Sequence, residues 1–305
     1  MYRKKRTKVC IVSFVGDAHA AIISSILEKK YFACVTLINP DRIHDYISLT
    51  YNFIQKHDDV NYDVAWVRRK NFLSAKPFAN NNYDMAINSA QSNQDMLDAF
   101  ILQRARRIIN PLDIATKIEN KAIQLQISEF VGLRTPPTLI SASYTEIMDF
   151  QRRCGPLVIK SMRSIGGSPT GTFLFDARLI SPENCRLAPA IYQERICGSR
   201  HLRVVVFGQK ILPFGYESNS LDSRFDARNG ASLVGISENL KSGILRFMEI
   251  AGLVMGVFDF KQSEAGEWYF LEVNQQGAFA YLDPLSSYPV LLEFAKFIMD
   301  EAALT

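Results

Sequence analysis

The sequence predicts a mixed α/β (α+β) chain, and three observations point there. Apolar runs of strand length alternate with helical patterning through the first third, a strand-rich stretch follows Gly155, and prolines, glycines and capping residues punctuate both.

The elements follow in order. "KVCIVSFV" reads as a strand, "AHAAIISSILEKK" as a helix, "ACVTLIN" and "YDVAWVRR" as further strands, with a polar segment around "YNFIQKHDD" between these two. Strands alternating with helices predict a small parallel sheet, an N-terminal domain over residues 1–109. Helical spacing returns from Asn93 to Arg106 and, after "INP", from Leu112 to Val131, where Gly132 supplies a stop. The two prolines of "RTPPTLI" exclude a helix interior, so this segment reads as a connector leading into a strand. Ser143 and Glu146 have capping-box spacing ahead of "YTEIMDFQRR", which Gly155 closes. Strands then read from "PLVIK", "GTFLF", "AIYQERI", "HLRVVVFG" and "KILPFGYES". The helix "SENLKSGILRFMEIAGL", the strands "VMGVFDF" and "EWYFLEVN", and a last helix over "PVLLEFAKFIMDEAAL" complete the chain.

Composition narrows the function classes. With 305 residues, 48% hydrophobic and 22% charged, the chain can bury a large core in two or three subdomains. A net charge of +4 is small for that length, and "RKKRTK" and "RARR" read as solvated faces, so no nucleic-acid partner is expected. The start "RKKRTKVCIVSFVG" has the charge order of a secretory signal. Its apolar run is short, however, and Asp17 and His19 follow with no small-residue cleavage site, so it reads as a strand. Cys10, Cys34, Cys154, Cys185 and Cys197 are scattered without C-x-x-C spacing, which predicts reduced thiols and a cytoplasmic chain. No apolar run approaches the ~20 residues of a membrane helix, so no membrane partner is expected. His19, His44 and His57 show no ligand spacing.

Chemistry concentrates in two places. Glu272 and Asn274 interrupt the apolar strand "EWYFLEVN" two residues apart, which puts both on one face. Asp259 lies in the preceding strand. If the two strands pair as a hairpin across "SEAGE", three oxygen ligands converge, which suits magnesium. The competing reading is a buried acid hydrogen-bonded to backbone or to an arginine. Upstream, Lys160 ends the apolar strand "PLVIK" just before "SMRSIGGSPTGT", a lysine and glycine-rich loop of the kind that holds phosphates. It is not a Walker pattern, and a glycine-rich hairpin with a snorkelling lysine is the competing reading. Asn120, Lys121 and Gln124, taken alone, read as a solvated helical face.

The order of motifs says more than any one of them. NKxxQL, GLRTPPT, VIK with its glycine-rich loop, QERI, HLRVVVFG, DF and LEVN follow one another, and this order resembles the ATP-grasp superfamily of carboxylate–amine ligases from about Asn110 onward. Within it the chain most resembles the microviridin (graspetide) type of ribosomal-peptide maturase, with the glutamate ligases that extend a ribosomal protein next. The features behind that choice are "VAWVRRK", "NKAIQLQISEFVGLRTPPTLI", "YQERI", "HLRVVVFGQKI", "DSR" and "FLEVNQQGAF".

The resemblance implies a small pre-ATP-grasp α/β domain (1–109), a central subdomain with the glycine-rich loop (110–196) and a C-terminal subdomain with the metal site (197–305). It implies ATP and Mg2+ as cofactors, with Lys121 and Lys160 on the phosphates and the loop of Gly166, Gly167 and Ser168 closing over them. Gln193, Glu194, Arg195 and Ile196 become the hinge, Glu194 and the Ile196 backbone read adenine, and Leu271 packs under the base. Asp259, Glu272 and Asn274 hold magnesium, while Arg203 and Arg224 face the transferring phosphoryl group and acyl phosphate. The implied reaction activates a carboxylate as an acyl phosphate and joins it to an amine or hydroxyl on a precursor peptide. A ligase for small amino or hydroxy acids, glutamate addition to a protein tail, and a non-catalytic ATP-binding scaffold are the alternatives. A homodimer is compatible with the sequence, and "VRRK" (Arg68, Arg69, Lys70) and "DSRFDAR" are candidate grips for substrate carboxylates. Two departures stand out: relatives usually carry Asp where this chain has His201, and Pro where it has Gln275.

Overall fold

The computed structural model describes residues 6–43, 62–70, 83–163, 171–221 and 230–304. The chain falls into two compact units, Met1–Leu112 with Pro289–Thr305, and Asp113–Tyr288. The last helix therefore groups with the first unit, and the 196/197 division lies inside the second.

In the first unit, β1 (Lys8–Val12), β2 (Cys34–Ile38), β3 (Tyr62–Val67) and β4 (Ala105–Ile109) form a parallel sheet in the order β2-β1-β3-β4. The two central strands carry unbroken buried runs, Val9–Val12 and Val64–Val67, as strands covered on both faces do. Helix α1 (Ala18–Tyr31) starts where the Asp17 carboxylate accepts from the His19 and Ala20 amides at 3.1 and 3.5 Å. Helix α2 (Tyr83–Arg104) is longer than the Asn93–Arg106 pattern suggested and stops at Arg104. The "RARR" segment runs from the end of α2 into β4; Arg106 is exposed, and the half-exposed Arg107 pairs with Glu301 at 2.8 Å. Among the described residues β4 lies at the edge of its sheet, and its sequence, Ala-Arg-Arg-Ile-Ile, has no period-two alternation, so strand patterning does not reveal it.

The second unit has two antiparallel sheets. The expected helix Leu112–Val131 is two helices, α3 (Leu112–Ile118) and α4 (Lys121–Phe130), because Asn120 takes an extended conformation and caps Ala122 N–H at 3.0 Å. Next come β5 (Thr138–Ser141), α5 (Tyr144–Cys154), β6 (Leu157–Lys160), β7 (Phe173–Leu174), α6 (Pro182–Leu187) and β8 (Ala190–Glu194). The sheet order is β5-β8-β6-β7. The capping box at α5 is open: Ser143 Oγ takes Glu146 N–H, but the Glu146 carboxylate goes to Ser141 Oγ at 2.7 Å, and that hydroxyl accepts Ser143 N–H.

β9 (Arg200–Phe207), β10 (Lys210–Glu217), β11 (Ser232–Leu233), α7 (Glu238–Ala251), β12 (Met255–Gln262) and β13 (Trp268–Asn274) follow, in a sheet ordered β11-β10-β9-β12-β13. Short α8 (Leu282–Ser286) precedes α9 (Val290–Ala303), which groups with α1 and α2 in the first unit. Leu202, Val204, Val206, Phe258, Phe260, Phe270 and Val273 line one face of this sheet and pack with α7 through Phe247 and Met248. Each fully buried side chain of this kind stabilises the fold by about 1.5–3 kcal/mol.

Candidate functional site

The opposite face of the same sheet carries the polar residues. Arg203 on β9 stands in register with Asp259 on β12, and Asp259 with Glu272 on β13. Directly opposed residues of antiparallel strands share a face, so one arginine and two carboxylates form a row. Asn274, two residues on, brings its Nδ2 to 3.2 Å from Glu272 Oε1 and 3.4 Å from Asp259 Oδ2.

A β-bulge makes that row. The β12–β13 register shifts between Asp259 and Phe260, so Asp259 opposes Glu272 while Phe260 opposes Phe270, and Leu271 is the extra residue. Buried residues on β13 are consequently spaced by three, Phe270 and Val273, and Glu272 leaves the core face that an unbroken alternation from Phe270 would give it. Leu271 itself is half-buried.

The row sets one formal positive charge against two negative ones, and Lys121 from α4 supplies the second positive. Buried Arg203 donates from Nη1 to Asp259 Oδ1 and from Nη2 to Ala278 O, both at 2.7 Å, and lies over the Tyr281 ring at 5.8 Å. Burial works against its charge, but the Asp259 carboxylate outweighs it, helped by Tyr281 and Tyr216, and the pKa rises. Its Nε is buried with no hydrogen-bond partner. Glu272 meets Lys121 Nζ at 3.3 Å, so this acid has both a lysine and an amide beside it.

Lys121 opens α4, and its backbone N–H donates to Met162 O at 3.3 Å, joining that helix to the segment after β6. Lys160, at the end of β6, donates to Gln193 Oε1 at 2.7 Å, and Gln193 Nε2 donates to Thr138 Oγ1 at 2.9 Å. This chain of bonds crosses β6, β8 and β5 and occupies the Gln193 side chain within the sheet. Glu194 is half-buried, Arg195 exposed and Ile196 buried at the end of β8. The Glu194 and Arg195 amides bond to Pro137 O and Pro156 O.

The residue that sequence reasoning misplaced is Gln124. It is buried, with Nε2 donating to Ile118 O and Val273 O at 2.7 and 2.9 Å and Oε1 accepting Val273 N–H at 2.9 Å. Its signal was present: Gln124, Ile127, Ser128 and Val131 recur at the spacing of one buried helical face.

Of the two departures, His201 lies on the polar face beside Arg203, stacked on Tyr216 with ring centroids 5.4 Å apart. Burial, with the Lys261 charge second, pushes its pKa down to about 4, so near neutral pH the ring adds no charge beside the arginine. The glycine after "NQQ" has a steric reason, since a Cβ on Gly277 would come within 2.6 Å of Val257 Cβ and 3.1 Å of Asn274 Cβ. Gly166, Gly167, Ser168, Arg224, the "DSRFDAR" segment, His44 and His57 lie outside the described residues. At the "VRRK" segment, Arg68 Nε is held by Asp17 at 2.7 Å and Lys70 by Asp98 at 3.1 Å, so both already serve carboxylates of the chain itself.

Asp259, Glu272 and Asn274 fit a hard divalent cation. Among the described residues no group of three His, Cys, Asp or Glu side chains is placed to hold a metal, so the set is two carboxylates and one amide. A half-turn of the Asn274 carboxamide would present Oδ1 where Nδ2 now meets both acids. Oxygen donors of this number, leaving room for phosphate oxygens, are what magnesium takes.

No protein-family model matches the chain, and no curated protein matches it by sequence. Its structure is similar to macrocyclase MdnC from Microcystis aeruginosa MRC bound with precursor peptide MdnA, at 19% identity, 96% of this chain, 100% of that one and TM-score 0.82. It is similar to a RiPP-associated ATP-grasp ligase of Chryseobacterium gregarium in complex with ADP and a leader and core peptide, at 18% identity, 97% of each chain and TM-score 0.81. A RimK domain ATP-grasp protein of Sphaerobacter thermophilus follows at 14% identity, 96% and 100% coverage and TM-score 0.63. The chain has the fold of these ATP-grasp structures. Among the described residues no helix is long and apolar enough to cross a membrane.

Proposed function

We propose that the chain is an ATP- and magnesium-dependent ligase that activates a side-chain carboxylate of a ribosomally made precursor peptide and joins it to an amine or hydroxyl of that peptide, in the cytoplasm. The observation that carries this reading is the row Arg203–Asp259–Glu272, flanked by Lys121 and Asn274, on an ATP-grasp fold. Similar structures solved with ADP and peptides support the substrate class. Residues 110–196 and 197–305 would be the two ATP-grasp subdomains.

In the reaction, a carboxylate oxygen of the substrate attacks the γ-phosphorus of ATP, the bond to the β–γ bridging oxygen breaks, and ADP leaves. The amine or hydroxyl then attacks the acyl carbon, the C–O bond to phosphate breaks, phosphate leaves, and the nucleophile gives up its proton. Asp259, Glu272 and Asn274 would hold magnesium, which would supply charge neutralisation at the triphosphate. Lys121 and Lys160 place point charges against phosphate oxygens, with Gly166, Gly167 and Ser168 supplying backbone donors. Glu194, Arg195 and Ile196 at the end of β8 border the adenine, Leu271 packs beneath it, and Gln193 holds Lys160 in place. Arg203, and Arg224 with it, stabilises charge that grows on the transferring phosphoryl group.

Mass spectrometry tests this. Incubated with ATP, magnesium and the precursor peptide encoded beside its gene, the protein should release ADP and remove one water from the peptide per bond formed. Added residues on the peptide would point to a tail-extending ligase, and condensation of free amino acids without any peptide would overturn the maturase reading.

A further inference from the structure

Among the described residues β13 is the edge strand of its sheet, so backbone groups on its outer side have no described strand to pair with. At Val273 a side chain supplies the missing partner. The Gln124 carboxamide meets both the N–H and the C=O of Val273 at 2.9 Å, the two-bond exchange a neighbouring strand would make, and spends its remaining donor on Ile118 O. Val273 stands between Glu272 and Asn274, with its own side chain in the core. One turn before Gln124 on α4, Lys121 meets Glu272 at 3.3 Å. Ser128 Oγ, one turn after, closes on Gln124 O at 2.8 Å.

We propose that Gln124 is a positioning residue of the magnesium–nucleotide site: it locks the helix that carries Lys121 to the strand that carries Glu272 and Asn274. The inference rests on the ligase reading. Few side chains can do this, because Val273 presents a donor and an acceptor side by side and a carboxamide is the side-chain group that answers both. Glutamate keeps the shape but sets acceptor oxygens against the carbonyls of Val273 and Ile118. Leucine leaves three buried backbone groups without their partner, and asparagine is one methylene short. A sliding strand would move Glu272 and Asn274 together relative to Lys121, so the affinity for the ion should fall before the affinity for the nucleotide. Residues that orient metal ligands from behind typically carry 10- to 100-fold of metal affinity, about the size expected here.

The test is calorimetric titration of ADP into the full chain, in excess magnesium and again in EDTA, for wild type and Gln124→Glu, well below the melting temperature of either. Gln124→Glu should lose on the order of tenfold of the magnesium-dependent gain while binding ADP in EDTA as wild type does. An undiminished gain, or an equal loss in both conditions, overturns the positioning role. If Gln124→Glu does not fold, wild-type amide exchange at Val273 decides: protection that rises on adding magnesium and ADP supports the clamp, and fast exchange in both states overturns it. A wild-type chain with no magnesium-dependent ADP binding would instead take down the ligase reading.

Discussion

Phe270 and Glu272, two residues apart on β13, point to opposite faces of their sheet. Phe270 packs on Phe258 and Phe260 in the core, whereas Glu272 opposes Asp259 in the polar row and meets Lys121 and Asn274. Strand geometry forbids this without an extra residue, and Leu271 is that residue. The bulge lets a seven-residue strand anchor an aromatic core on one face and present Glu272 and Asn274 on the other.

Glu272→Ala should abolish ADP formation from ATP. Because Glu272 has Lys121 and Asn274 beside it, the variant should also lose about 1–2 kcal/mol of stability, the scale for stranding a hydrogen-bonded partner. ADP release and urea unfolding read the two effects separately. Turnover at the parental rate would remove Glu272 from the metal site.

Asp259→Asn acts elsewhere as well. Asp259 is the counter-charge of buried Arg203, so the variant should cost about 3 kcal/mol in urea unfolding beyond any loss of magnesium affinity. Adding Arg203→Met should recover part of that stability and none of the activity. Equal instability of the single and double variants would show that the pair does not govern the fold.

Lys160→Ala and Arg203→Lys should separate binding from chemistry. The first should weaken nucleotide affinity, since on the proposed reading that charge would meet phosphate in the ground and transition states alike. The second keeps a cation near Asp259 but loses the fork that also reaches Ala278 O, and turnover should fall roughly 10²-fold with affinity held. Steady-state kinetics with equilibrium ADP binding checks both, and the reverse pattern would exchange their roles.

Acid should unfold the protein partly through its buried imidazoles. The His201 pKa falls from 6.5 to about 4 and that of His19 to about 3, in both cases chiefly by burial. The unfolded chain therefore takes up these protons first. The stability that each neutral ring contributes is complete above about 6.5 and is lost as pH drops toward the folded values, at up to about 1.4 kcal/mol per unit and ring. His201→Gln should flatten that slope between pH 6 and 4.5, as followed by urea unfolding at stepped pH (roughly half of it, since His19 remains). An unchanged slope would show that His201 is solvated.

Gly277→Ala should destabilise by about 1–3 kcal/mol, because the new methyl meets Val257 and the Cβ of Asn274 inside van der Waals contact. Thermal unfolding measures this, and magnesium-dependent ADP binding should weaken in parallel. A neutral substitution would mean that the turn after β13 can move away.

What the sequence by itself determined is local in origin. Period-two patterning and caps located most of the strands and helices, though not β4, β11, α6 or α8, and the spacing of Glu272 and Asn274 placed both on one face. The ordered motifs singled out Lys121, Lys160, Arg203 and Asp259 as well. Tertiary structure decided everything that depends on a partner distant in the chain. The bulge at Leu271 exists because Phe270 must reach the core while Glu272 answers Asp259, a conflict that no window around residue 271 contains. Gln124 looked like a solvated amide because its partner, Val273, lies 149 residues away. Arg203 carried the signature of a site arginine, yet its bonds to Asp259 and Ala278 O arise only when β9 and β12 align. Hydrogen bonds of buried polar groups are set by register between strands and by helix docking, and neither is written in the period of one segment.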